Sequence, residues 1–402
     1  MNILLSLIYV ACLTSALGVP SRQAPLTDGF LATSNHNISQ ELFYDLEELS
    51  RIVDISYCVG TTGTGIQKPF LCASRCQDFP NFELVTTWNT GPFLSDSCGY
   101  VVLSHPPSPP RIIVAFRGTY SVANTIIDLS TVPQEYVPYP GDGDDDDDAS
   151  EQNKGLRKRA INPQKAECTD CTVHAGFMTS WRHTREEILP HIKEAVKAYP
   201  EYQVTLVGHS LGGAVAALAS LDFEARGWNP QVTTFGEPRI GNQGLMRYID
   251  ESFSNSSQSS ITGRYRRVTH VDDTVPLLPL TEWGYQMHAG EVYISKPELS
   301  PELKDLRYCD GDQDPSCIAG AETRQESPNI PSIEQGADIE GFKDWWNDTK
   351  GLLTVPPRFR IWQLFFAHRD YFWRLGLCLP GGDPKDWYKK YSHDGDDEPL
   401  EL

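Results

Sequence analysis

The stretch Val204–Ser220, "VTLVGHSLGGAVAALAS", constrains the fold of this chain more than any other. Its apolar, β-branched beginning reads as a buried strand, and its alanine-rich end reads as a helix. Only Gly-His-Ser-Leu-Gly-Gly separates the two, so the strand must hand over to the helix within one tight turn. Packing alone does not call for small residues at both Gly208 and Gly212. A sharp bend that presents the hydroxyl of Ser210 between two close passages of backbone does.

The rest of the chain repeats the alternation. Ile38–Tyr57 carries Leu, Phe and Ile at helical spacing, with acids early. Tyr100–Ser104 and Ile112–Phe116 read as strands. The run beginning at His174 is a long amphipathic helix in spite of Pro190. Tyr202–Val207, Val232–Phe235 and Tyr265–His270 read as buried strands separated by helical segments. Strands alternating with helices predict an α/β architecture, a mainly parallel sheet covered on both faces. With 402 residues and 40% hydrophobic content, the chain suffices for one large core.

Two stretches interrupt the pattern. Residues 133–163 are dense in Asp and Gly and poor in apolar side chains, which predicts a solvated loop. Within it, Asp142 to Asn153 lacks the glycine and glutamate that a calcium-binding loop places at fixed positions. Lys158-Arg159 at its end is a candidate processing site. Residues 318–357 form a second irregular insertion. The expected organisation is a leader at 1–18 and a single domain over 19–402.

The leader is uncharged and apolar, with Ala16 and Gly18 set for cleavage before Val19, as in a secretory signal. No later stretch has the apolar length of a transmembrane helix. Of ten cysteines, one is Cys12 of the leader, and the nine that remain favour pairing in an oxidising compartment with at least one left over. Cys168-Thr-Asp-Cys171 lacks the second pair and histidines of a zinc site, so no metal is expected. Asn37, Asn255 and Asn347 lie in glycosylation sequons. The formal charge of −20 argues against nucleic acid and against attachment to anionic membranes.

Gly-x-Ser-x-Gly between a strand and a helix is the nucleophile elbow. A serine hydroxyl needs a base to accept its proton, and a histidine oriented by a buried carboxylate does this near neutral pH. In this fold class the carboxylate and then the histidine follow the serine. "RVTHVDDTVPLLP" places Asp272 and Asp273 at the carboxyl end of a strand, where open parallel sheets collect their sites. Among the downstream histidines, His270 lies too near these aspartates, His288 precedes a strand, and His393 lies in an acidic tail. His368, in the aromatic "WQLFFAHRDYFWRLGLC", is the best base.

Together, "VGHSLGGA", "THVDDTVPLLP" and "AHRDYFWRLGLC", with "VAFRGTYSVANTIIDL", resemble the catalytic and lid motifs of the fungal, Rhizomucor-type class 3 lipases, in order over roughly Glu41 to Cys378. The resemblance implies an α/β-hydrolase fold with a short helical lid. It makes Ser210 the nucleophile, His368 the general base, and Asp273, two residues before Val-Pro, the third member. The oxyanion hole would use the backbone N–H groups of Leu211 and Thr119. The implied disulfides are Cys58–Cys378, Cys72–Cys76, Cys168–Cys171 and Cys309–Cys317, with Cys98 free.

In the lid segment, Val122, Ile126 and Leu129 form one apolar stripe with Ile127 beside it, opposite Ser121, Asn124, Thr125 and Asp128. Such an element would cover the serine in water and bury its stripe at a lipid surface. The expectation is a secreted, monomeric hydrolase of long-chain acylglycerols that meets a lipid–water interface and uses no cofactor. Phospholipase A1 or feruloyl-type esterase is the alternative within the same chemistry. A catalytically silent lipid-surface protein is disfavoured by the intact Ser210, Asp273 and His368.

Overall fold

The computed structural model describes residues 36–60, 65–91, 96–119, 133–139, 168–254, 263–320 and 367–379. The leader, the lid residues Val122, Ile126, Ile127 and Leu129, the sequons at Asn255 and Asn347, Lys158-Arg159 and His393 lie outside them. Asn37 is described and exposed.

The central strands are β3 (Arg111–Phe116), β6 (Gln203–His209), β7 (Gln231–Phe235), β8 (Tyr265–His270) and β9 (Glu291–Ile294), all pairing in parallel in that order. They are buried almost throughout, as strands covered on both faces must be. Antiparallel strands extend both edges: β1 (Phe82–Asn89) and β2 (Cys98–Ser104) on one side, β10 (Leu306–Tyr308) on the other. Neither β1 nor β10 was expected. The first is half polar with a register shift between Leu84 and Thr86, and the second is three residues long.

Side-chain alternation along the strands sorts the core into two layers. Ile112, Val114, Phe116, Val101 and Leu103 pack with helices α2 (Ala175–Ala198), α3 (Leu211–Ala225) and α4 (Gln243–Phe253). Ile113, Ala115, Tyr100, Val102 and Val207 pack on the opposite face with α1 (Gln40–Ile55) and with Tyr371–Trp373 and Leu375. Helix α1 starts where Ser39 accepts the Leu42 N–H at 3.1 Å, and buries Leu42, Leu46, Leu49, Ile52 and Val53 along one stripe. Helix α2 runs unbroken through Pro190.

The first insertion begins later than its composition suggests. Pro133–Glu135 form β4, antiparallel to β5 (Thr172–His174). Tyr136 is buried, and Tyr139 lies 3.8 Å beneath the Arg226 guanidinium. Two aromatic anchors and a backbone ladder order residues that a count of aspartates would leave in solvent. Ile318, the expected start of the second insertion, is also fully buried, its N–H donating to Glu291 at 3.1 Å. Disulfides join Cys58 to Cys378, Cys72 to Cys76, Cys168 to Cys171 and Cys309 to Cys317, while Cys98 is a buried thiol facing the Asn89 side-chain oxygen.

Candidate active site

Ser210 closes β6 and caps α3 with φ +58° and ψ −130°. That backbone conformation is unfavourable for any residue with a Cβ. The glycines around it are sterically required. A Cβ on Gly208 would lie 2.3 Å from the Gly212 carbonyl oxygen, and one on Gly212 would lie 2.4 Å from that of Phe116. The Ser210 N–H donates to the Phe235 carbonyl at 2.9 Å, locking the turn to the end of β7. Its carbonyl takes the N–H groups of Gly213 and Ala214 as the helix begins. The N–H of Leu211, at the first helical position, has no acceptor within the helix. Thr119 is half-buried just past Gly118, at the end of the neighbouring strand.

Burial separates the two candidate carboxylates: Asp272 is exposed and Asp273 fully buried. Asp273 receives the His368 Nδ1 at 2.9 and 3.0 Å, the Val275 N–H at 2.9 Å and the Tyr371 hydroxyl. Burial alone would raise its pKa, but the charge of His368 and these three donors together hold it below the ordinary carboxylate value. A carboxylate only accepts, so Nδ1 carries the proton and Nε2 is left as the basic nitrogen. His368 Nε2 is buried and makes no hydrogen bond among the described residues.

Gly236, next to Phe235, brings the two halves together. A Cβ there would lie 2.8 Å from Asp273 Oδ2 and 2.9 Å from His368 Cε1. The peptide that holds Ser210 is thus packed against the imidazole of His368. The other histidines are committed elsewhere: His270 Nε2 meets the Lys296 carbonyl at 3.0 Å, and His288 Nε2 meets Glu237 at 3.1 Å.

Sequence reasoning passed over His209, which precedes the serine. Its ring stacks on that of His368 with centroids 4.7 Å apart, and its Nε2 donates to the His368 carbonyl at 2.7 Å. The Tyr57 hydroxyl lies 2.5 Å from its Nδ1. Burial, and then the neighbouring His368, push its pKa down to about 3, so it is neutral at working pH. Since a carbonyl only accepts, Nε2 bears the proton and Nδ1 accepts from Tyr57. His209 therefore holds the main chain of His368, an arrangement signalled only by its adjacency to Ser210. Of the aromatic residues flanking His368, Phe372 and Trp373 are core, while Trp362, Phe365 and Phe366 lie outside the described residues.

A nucleophilic side chain on a strained elbow, beside an imidazole with a buried carboxylate behind it, is the constellation of a serine hydrolase. The family model described as "Lipase (class 3)" matches residues 113–283. The chain is 51% identical over 379 residues to a secreted mono- and diacylglycerol lipase 2 of Gibberella zeae, covering 89% of this chain and 86% of that one. It is 48% identical to lipase A of Sodiomyces alcalophilus, covering 88% and 86%. Among solved structures, the Lip2 lipase of Yarrowia lipolytica superposes with a TM-score of 0.63 at 29% identity, over 85% of this chain and 97% of that one. The lipase of Rhizopus microsporus var. chinensis gives 0.54 at 25% identity, over 71% and 84%. The sheet and its flanking helices are the α/β-hydrolase fold. From its elbow, and from identity that extends over most of both chains, this protein belongs to the class 3 lipases.

Proposed function

We propose that this chain is a secreted carboxylic ester hydrolase that cleaves long-chain acylglycerols through an acyl-enzyme on Ser210. The observation that carries this reading is the pairing of Asp273 with His368 Nδ1, which leaves Nε2 buried and without a hydrogen bond among the described residues, on a ring against which the peptide holding Ser210 packs. Nε2 removes the proton from Ser210 Oγ as the oxygen attacks the ester carbonyl. The Leu211 and Thr119 N–H groups receive the developing oxyanion, each contributing about 3 kcal/mol that exists only along the reaction path. The imidazolium, stabilised by Asp273, then passes its proton to the departing alcohol. Water enters by the same base, and the acid leaves.

The stripe of Val122, Ile126, Ile127 and Leu129 supports a preference for substrate held at a lipid–water interface. The named activities of the relatives extend the candidate substrates to mono- and diacylglycerols. The organisation proposed is a leader removed at about residue 18, followed by one monomeric catalytic domain that uses neither metal nor organic cofactor, with sugars on Asn37, Asn255 and Asn347. Among the described residues no helix is long and apolar enough to cross a membrane.

The test is hydrolysis of emulsified tri-, di- and monoolein, phosphatidylcholine, methyl ferulate and soluble short-chain esters, with and without Ser210→Ala. Acylglycerols should dominate and the variant should be inert. Activity that survives Ser210→Ala, or a preference for the ferulate or the phospholipid, would defeat the proposal.

A further inference from the structure

His368 sits on a loop that is closed on itself. The Leu375 N–H donates to the Arg369 carbonyl at 2.8 Å, the Arg369 side chain returns to the Leu375 carbonyl, and Asp370 holds Arg374 through two contacts of 2.6 and 2.7 Å. Such a loop moves as a unit, so whatever fastens its outer half also places the imidazole. Its outer half is fastened to α1. The Trp373 indole N–H donates to Glu47, the Gly376 N–H donates to Asp54 Oδ1 at 2.9 Å, and Cys378 is bonded to Cys58. Positions 47, 54 and 58 are seven and four apart, hence on one side of the helix and its continuation.

The disulfide was expected from the resemblance, but Asp54 has no role in the chemistry described above. It is a 1% exposed carboxyl in the last turn of a helix, a costly placement without partners. Its partners are Gly376 N–H, the Arg75 guanidinium at 3.7 Å and, at 3.4 Å, the Ser74 hydroxyl. Arg75 in turn lies 4.2 Å over the Trp373 ring, so the acid grips the loop at two points.

We infer that Asp54 is a positioning residue for the general base, holding the His368 loop against α1 at the distance from which Nε2 reaches Ser210. This rests on the proposed roles of Ser210 and His368. Displacement of a catalytic group by about 1 Å costs on the order of a hundredfold in turnover while substrate binding is left intact.

The experiment uses the full-length secreted enzyme on a soluble p-nitrophenyl ester, with active sites counted by a serine-directed phosphonate. Asp54→Ala should lower kcat per titrated site about tenfold or more, with KM within about twofold. Asp54→Asn, whose amide oxygen still accepts from Gly376, should recover kcat to within about threefold. Unchanged kcat in Asp54→Ala, equal losses in the Ala and Asn variants, or a loss confined to KM would each overturn the inference. If Asp54→Ala does not fold, Trp373→Phe stands in, because it removes one fastening donor and keeps a ring under Arg75. It should also lower kcat alone, and an unchanged kcat there overturns the inference. Ser210→Ala is run in parallel: a dead Ser210→Ala with a normal Asp54→Ala sinks the inference only, whereas an active Ser210→Ala sinks the reading beneath it.

Discussion

Replacing Ser210 by glycine should stabilise the fold more than replacing it by alanine. The prediction follows from the backbone of the elbow, at φ +58° and ψ −130°. Holding a Cβ-bearing residue there costs about 1–3 kcal/mol. At an ordinary position glycine is worse than alanine by about 0.5–1 kcal/mol, because the unfolded chain gains freedom. The difference leaves Ser210→Gly ahead of Ser210→Ala by about 1 kcal/mol, a reversal of the usual order. Neither variant has the hydroxyl, so both should be inactive and the comparison isolates the Cβ. Chemical denaturation is the better assay, since in a domain of this size 1 kcal/mol moves Tm by only about 2 °C. If Ser210→Gly proves the less stable of the two, the elbow stores no strain at Ser210 and the reasoning from its backbone conformation is wrong.

Tyr57→Phe leaves His209 Nδ1 buried without a donor; kcat should fall about tenfold with KM unchanged on a soluble ester, which steady-state kinetics would check. Gly118→Ala places a methyl 2.5 Å from the Tyr57 hydroxyl and 2.8 Å from Ser210 Cβ, so it should destabilise by up to about 3 kcal/mol and abolish turnover; secreted yield and melting would show it. The acid response pits His209 against Asp54. The pKa of His209 falls from 6.5 to about 3 on folding, so only the unfolded chain is protonated between those values and acidification costs stability. That of Asp54 rises from 3.8 to about 6, chiefly through burial, so the folded chain takes the proton first and acidification restores stability. The two slopes oppose each other between pH 4 and 6, each at most about 1.4 kcal/mol per pH unit. Asp54→Asn should therefore lose about 2 kcal/mol relative to the parent on going from pH 6 to 4; denaturation curves whose separation does not change with pH would refute this.

The elbow was legible because its requirement is local: two glycines at fixed offsets between a strand and a helix. The mainly parallel sheet was legible because buried strands leave long apolar runs. Asp272 and Asp273 are equivalent as residue types, and only the resemblance favoured Asp273; their burial, which depends on the loop that follows, is what separates them physically. His209 looks like filler until a carbonyl from 159 residues later accepts its proton. Tyr57, Asp54 and Arg75 are invisible for the same reason, since each acts on a segment more than 150 residues away. The edge strands β1 and β10 escaped notice because one face of an edge is free to be polar, and Tyr136 and Tyr139 because two rings were outvoted by a run of aspartates.

The fastening of the His368 loop to α1 sets an order of events in the making of this enzyme. On the roles proposed for Ser210, Asp273 and His368, the nucleophile and its carboxylate emerge from the ribosome first, and the imidazole follows 95 residues after Asp273. It becomes useful only when that late segment folds back onto the first helix and Cys378 finds Cys58, 320 residues upstream. A nascent or truncated chain would then carry an idle serine through the host's own membranes, and the ability to cut lipid would arrive with the closing of the chain upon itself.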